Sequence, residues 1–294
     1  MFKLIIWGGF LLRIKKLYII LLIIPILLVV LYYSNIKSAV TVSSPASTSP
    51  SVRLPIIMYH QVLKNANSLG KYIISPKEFE EDVKYLKRLG YTTIDVQDLI
   101  DYEYNNKELP EKPIMLTFDD GYLSNYTYIV PILEKYKVKA VISIVGEYVD
   151  KSSIDSYTNP YLNWTQVKEL VENPYVEIQN HTYAMHDIEE RKGCKILEGE
   201  PYDKYKVEIL EDIGYFQLLI QEKTGYTPTA FTYPYGYVCD EVNGILEEIG
   251  FVSTFSCKEG VNLLSGNKDE LYELKRFNRP SGINRERFFR KFEK

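Results

Sequence analysis

From about residue 54 onward the hydrophobic pattern switches repeatedly between two periods. Short apolar runs of strand length occur at 54–59, 91–94, 113–118, 140–145, 175–179, 230–233, 251–255 and 272–277. Segments with apolar residues at helical spacing lie between them. The clearest is 76–89, where Phe79, Val83, Leu86 and Leu89 share one face. Ser75 offers an N-cap, Pro76 suits the first helical position, Lys87 and Arg88 suit the last turn, and Gly90 closes it. Further helices are predicted over 96–104 (capped by Asp95), 124–136, 164–171 (capped by Asn163), 204–223 and 240–249. Strand and helix in alternation imply parallel strands joined by right-handed crossovers, an α/β architecture. Seven or eight such units favour a barrel over an open sheet, and the active sites of such barrels lie where the strands end.

Upstream the pattern is different. Residues 17–33 (LYIILLIIPILLVVLYY) form an uncharged apolar run of membrane-spanning character, at the short end of the usual length. Pro25 is tolerated better in such a helix than in a soluble one. Arg13, Lys15 and Lys16 precede the run and only Lys37 follows closely. That asymmetry places a cytoplasmic segment, 1–16, inside and the bulk of the chain outside the cell membrane. A cleaved signal peptide is the competing reading, but the run is longer than a usual signal core and no clear A-x-A site follows it. A single-pass signal-anchor is therefore expected at 17–33. Residues 34–53, rich in Ser, Thr and Pro, read as an extended tether to a domain at 54–294.

Charge sharpens this division. Net charge is −4 over 294 residues, yet residues 1–52 carry five bases and no acid, leaving 30 bases against 39 acids in the rest. An acidic main domain argues against nucleic-acid binding, which needs a basic face. Three cysteines, Cys194, Cys239 and Cys257, lie far apart without a C-x-x-C pair, so a structural zinc knuckle is not expected. At most one disulfide is possible, and the spacing does not select a pair. The 26 tyrosines read as compositional bias.

Candidate chemistry concentrates at strand ends. The run 113–118 leads into Asp119, Asp120 and Gly121. Two adjacent carboxylates are a poor way to build a core, but they serve well to give one oxygen ligand to a metal and a second carboxylate to a water. Alternation along a strand would send the two side chains to opposite faces, so the chain must bend, and Gly121 permits that. Two of the chain's three histidines, His181 and His186, follow the run 175–179. Their spacing of five does not keep both on one helical face, so an irregular loop must join them if they share an ion. Two imidazoles with one carboxylate form a common ligand set for a catalytic zinc or similar ion. His60 and Tyr235 also directly follow predicted strands.

These residues carry a family resemblance. Residues 117–121 (TFDDG), His181-Thr182 followed by His186, and 231–236 (FTYPYG) resemble, in order, three motifs of the polysaccharide deacetylases of carbohydrate esterase family 4, the NodB-homology group. Residues 55–62 (PIIMYHQV) are similar to the opening of the poly-N-acetylglucosamine deacetylase subgroup, which also accepts the five-residue histidine spacing. The resemblance spans residue 54 to about residue 280. It implies a deformed (β/α)7–8 barrel of NodB type that removes acetyl groups from an N-acetylglucosamine polymer. It also implies one divalent ion held by Asp120, His181 and His186: zinc first, with cobalt, nickel or manganese also compatible with mixed N/O ligands.

In that scheme Asp119 is the general base, the Tyr235 amide shares the oxyanion, and His60 is the acid for the departing amine. The sequence departs from the wider family because no histidine follows His186, and the usual C-terminal acid is missing. In the resembling subgroup a histidine of the first strand takes its place, which here is His60. A carbohydrate-binding protein without catalysis and an O-acetyl esterase are the alternative functions. Peptidoglycan, a secreted glucosamine exopolysaccharide and chitin oligomers all carry the acetamide, so the polymer is left open. The charged segment 189–203 is expected to form a loop near His186.

Overall fold

The computed structural model describes residues 51–155 and 159–292. The apolar run 17–33, the segment 1–16 and nearly all of the tether lie outside them. Val52 and Arg53, assigned to the tether by composition, instead pair with Leu264 and Leu263 in a short antiparallel ribbon. Among the described residues no helix is long and apolar enough to cross a membrane.

Eight parallel strands form one curled sheet: β1 (Ile56–Tyr59), β2 (Thr92–Ile94), β3 (Pro113–Phe118), β4 (Ala140–Ile144), β5 (Val176–Asn180), β6 (Ala230–Thr232), β7 (Ser253–Phe255) and β8 (Phe277–Asn278). The order is β7-β6-β5-β4-β3-β1-β8, with β2 paired to the first half of β3. The closed barrel expected from the alternation is realised only in part. The continuous ladder stops at β7, and the run 272–277 is not one strand. Glu273 takes a left-handed φ of 55° and breaks it. Leu274 then makes a single bridge to Phe255, and three residues later β8 pairs with β1. One kinked segment thus touches both ends of the sheet, and Arg276 stands at the seam.

Nine helices are described, among them α1 (Pro76–Arg88), α2 (Val96–Asn105), α3 (Val130–Tyr136), α4 (Gly146–Ile154), α5 (Trp164–Val171), α6 (Tyr202–Ile209) and α7 (Tyr215–Thr224). The expected caps are present: Ser75, Asp95 and Asn163 each accept from the third helical amide and close a full capping box. The single helix expected over 204–223 is α6 and α7 joined by a π-turn, Leu210–Gly214. Helix α4 was not anticipated, because Gly146, Ser152 and Ser153 dilute its apolar period.

Alternation along the strands sorts the interior. Ile114, Leu116, Phe118, Ala140, Ile142, Ile144 and Ile178 face the helices in the main core. Ile56, Met115, Val141, Ala230 and Phe255, one position out of step, form a second cluster with Leu264, Leu271 and Leu274 that plugs the inner face. Further along the same inner parity come Thr117, Ser143 and Thr232, where the Ser143 and Thr232 hydroxyls meet at 2.7 Å. Two residues beyond Thr117 stands Asp119, and two beyond Gln179 stands His181. The period of two therefore carries the inner face from apolar plug to polar ring to a rim that holds Asp119 and His181.

Candidate metal centre

Asp119 lies one residue past β3 but continues its ladder: its amide donates to Tyr59 O at 3.0 Å. The chain then turns through left-handed φ values at Asp120 (72°) and Gly121 (70°). This is the bend required for both carboxylates to reach the inner side. A non-glycine residue in this region carries strain, which the surroundings must hold in place. The hydrogen bond from Leu162 N to Gly121 O, at 2.9 Å, is part of that support.

Asp120, His181 and His186 each offer one ligand atom, and these atoms all lie within 4.8 Å of one another. Asp120 Oδ1 is 3.5 Å from His181 Nε2 and 3.2 Å from His186 Nε2. The donor chemistry fits a divalent ion: one carboxylate oxygen and two ring nitrogens converge, while the neighbouring Asp119 is engaged elsewhere. Each imidazole is oriented through its other nitrogen. His181 Nδ1 lies 2.7 Å from the Thr232 carbonyl, which accepts its proton and leaves Nε2 free to ligate. His186 Nδ1 lies 3.3 Å from the Tyr148 hydroxyl. The Asp120 carboxyl is buried, which on its own would raise its pKa. The adjoining His181 and His186 rings outweigh burial and drive it far below the ordinary carboxylate range.

Asp119 is fixed by a residue that the sequence did not point out. Arg276 makes a bidentate pair with it, Nη1–Oδ1 at 2.7 Å and Nη2–Oδ2 at 2.8 Å, with both side chains almost fully buried. Arg276 Nε donates to Ser256 O at 2.8 Å, and Nη1 to Thr117 Oγ1 at 3.2 Å. Burial alone would push the Asp119 carboxyl up, but the guanidinium wins and holds it below the usual range. The available signal was a lone arginine within the otherwise strand-like run 272–277.

His60 follows β1 on the inner parity. Its Nδ1 is buried with no hydrogen-bond partner, and its ring meets Tyr72 edge-on at 4.8 Å. Burial lowers its pKa, and the charges of Asp119 and Asp120 partly restore it. Tyr235 adopts φ 56°, ψ 6° within the turn Pro234–Gly236. Its ring lies 4.6 Å from that of His186. All six residues singled out from sequence line a single cleft of about 710 Å³. Tyr122, Tyr148 and Tyr161 stack beside it, and Tyr148 comes from the unanticipated helix α4. The segment 189–203 is irregular up to α6, as expected. Arg191 binds Glu200 and Glu208 there, and Cys194 is buried near Cys239; all three cysteines are free thiols.

Residues 106–253 match the family model described as polysaccharide deacetylase. The chain belongs to that family. Among curated relatives of this deacetylase-family chain is the poly-beta-1,6-N-acetyl-D-glucosamine N-deacetylase of Escherichia coli K12, 27% identical over 231 residues. The alignment covers 70% of this chain but only 34% of the relative, so the chain spans about a third of that protein's length. Among solved structures, a de-N-acetylase from Aggregatibacter actinomycetemcomitans aligns with a TM-score of 0.71 at 25% identity, over 82% of this chain and 99% of the other. IcaB from Ammonifex degensii aligns at 0.66 and 28% identity, over 77% and 92%.

Proposed function

We propose that this chain is a membrane-anchored, extracytoplasmic, metal-dependent deacetylase that hydrolyses N-acetyl groups of an N-acetylglucosamine polymer. The observation that carries the reading is the convergence of Asp120, His181 and His186 beside a carboxylate, Asp119, that Arg276 keeps ionised. The relatives named for poly-β-1,6-N-acetylglucosamine deacetylation support the substrate class. The apolar run at 17–33 and its preceding basic residues support the anchor and the orientation.

An amide resists hydrolysis because its carbonyl is a weak electrophile and its nitrogen a poor leaving group. A divalent ion held by Asp120, His181 and His186 supplies, when bound, the Lewis acidity that polarises the acetyl carbonyl and acidifies water. Asp119 takes the proton of the attacking water as general base. Its pairing with Arg276 fixes its direction and charge, and makes it a weaker base than a free carboxylate. Among the described residues no acceptor takes the Tyr235 amide hydrogen, which leaves it available to the developing oxyanion. His60 delivers a proton to the amine nitrogen as the C–N bond breaks. Burial disfavours the protonated ring, and the charges of Asp119 and Asp120 favour it. Its place in the cleft also supplies the acid whose absence from the C-terminal part of the chain favoured the non-catalytic alternative.

The test is release of acetate and free amine from an acetylated β-1,6-glucosamine oligomer by the purified full chain, with and without a chelator. Chelator-sensitive amine release is expected. Acetate without new amine would indicate O-acetyl ester cleavage, and neither product would indicate a binding protein.

A further inference from the structure

A five-residue spacing between two ligands of one ion imposes a cost that the loop between them must meet. Residues 182–185 belong to neither helix nor strand, so their amides and carbonyls need partners from elsewhere. Thr182 takes a left-handed φ of 72°, and its amide donates to Asn180 Oδ1 at 2.9 Å. The carbonyls of Thr182 and Tyr183 accept from Gly146 N (3.0 Å) and Glu147 N (2.8 Å), the first two residues of α4. The opposite edge of the loop is held by one side chain. Asp212 accepts the Tyr183 amide on Oδ1 and the Ala184 amide on Oδ2, each at 2.8 Å.

Asp212 lies in the π-turn Leu210–Gly214 between α6 and α7, where an inserted residue re-aims the side chains of an otherwise continuous helix. Its neighbour Ile213 enters the core, while the Ile213 carbonyl accepts from Asn180 Nδ2 at 3.3 Å. Among the described residues no basic side chain pairs with Asp212. The desolvation of this carboxylate is met by backbone N–H groups of the ligand loop. Such a residue is poorly explained as a general stabiliser, and is well placed to shape the segment it grips.

We propose that Asp212 is a positioning residue for the metal centre. It presets the backbone of 183–185 so that His181 and His186 both present Nε2 to Asp120 before an ion arrives. This rests on the reading of Asp120, His181 and His186 as a metal site, and adds the element that builds it. Asp212 touches neither the ligand atoms nor the substrate cleft.

The discriminating variant is Asp212→Asn, which keeps the shape but turns one acceptor into a donor facing an N–H. Cobalt(II) affinity of the purified full chain is measured by competition with a chromophoric chelator, alongside the cobalt visible spectrum and the melting temperature of the metal-free protein. The expected result is affinity weakened by about 10- to 100-fold with an altered spectrum. Thr224→Val, which removes a hydrogen bond to Ile220 O at the far end of α7, serves as control and should leave affinity unchanged whatever its melting temperature. A lower melting temperature for Asp212→Asn with wild-type affinity and spectrum would overturn the proposal. If that variant does not accumulate, hydrogen exchange of metal-free wild type decides. Slow exchange at Tyr183 and Ala184 supports a preset loop, and fast exchange that slows only with metal overturns it. Wild type that binds no cobalt would defeat the metal reading and this inference together; binding by wild type and Asp212→Asn alike would defeat this inference alone.

Discussion

Two adjacent aspartates take different partners because their backbones differ. Asp119 continues the β3 ladder through its amide and meets Arg276, whereas Asp120 turns through a left-handed φ and meets two imidazoles. Asp119→Asn should therefore keep its metal, measured by elemental analysis, and lose roughly two or more orders of magnitude in kcat. Retained turnover would remove its assignment as base. Arg276→Gln leaves a buried carboxylate without its cation. A stability loss of about 3–5 kcal/mol is expected by denaturant titration. The acid limb of the pH–rate profile should also move to higher pH, because the carboxyl depends on the guanidinium for its depressed pKa. An unmoved acid limb would show that Asp119 does not govern it. The sequence displayed the two aspartates but not their different partners, since Arg276 lies 157 positions away from Asp119.

At the level of elements, turns position the site as much as strands do. Gly236 has φ 72°, and a Cβ there would sit 2.4 Å from Cys257 Cβ and 2.8 Å from Cys257 N. Gly236→Ala should displace the Pro234–Gly236 turn and its Tyr235 amide while leaving the three ligands in place. Metal content should be unchanged while kcat falls by about 10²-fold, in the range for loss of an oxyanion donor. Equal kcat would argue that the turn plays no part. The strands and the three capped helices were legible because period and cap chemistry agree locally. Helix α4 was missed because its apolar period is weak, and with it Tyr148. The break at Glu273 was missed because a left-handed glutamate leaves no mark in a hydrophobic pattern.

Over the whole molecule, reactive rim and apolar plug share one inner face, and a carboxylate near the plug has a titration of its own. Glu177 accepts from Val96 N at 2.6 Å and from Gln179 Nε2 at 3.0 Å. Burial, with the nearby Asp95 charge adding to it, pushes its pKa up to about 8. Between the unfolded carboxylate range, about 4.3, and that value the native state holds a proton that the unfolded chain has released. Glu177 thus makes stability fall as pH rises through this window. Melting temperatures of wild type and Glu177→Gln, compared from pH 4 to 9, should show a shallower decline in the variant. Parallel curves would contradict the shifted carboxyl. The α/β class and the rim placement of six residues were readable from alternation and motif spacing. The seam at 273–279 was not, because closure there depends on one bridge at Leu274, the two-residue strand β8 and one buried ion pair instead of one continuous strand.

The expectations for the site converge on one cation. Crystals of the protein grown with cobalt and measured at the cobalt absorption edge locate it directly. A single anomalous peak within bonding distance of an Asp120 oxygen and of Nε2 of both His181 and His186 is the expected result. No peak at that position, or a peak bound by other residues, would contradict it.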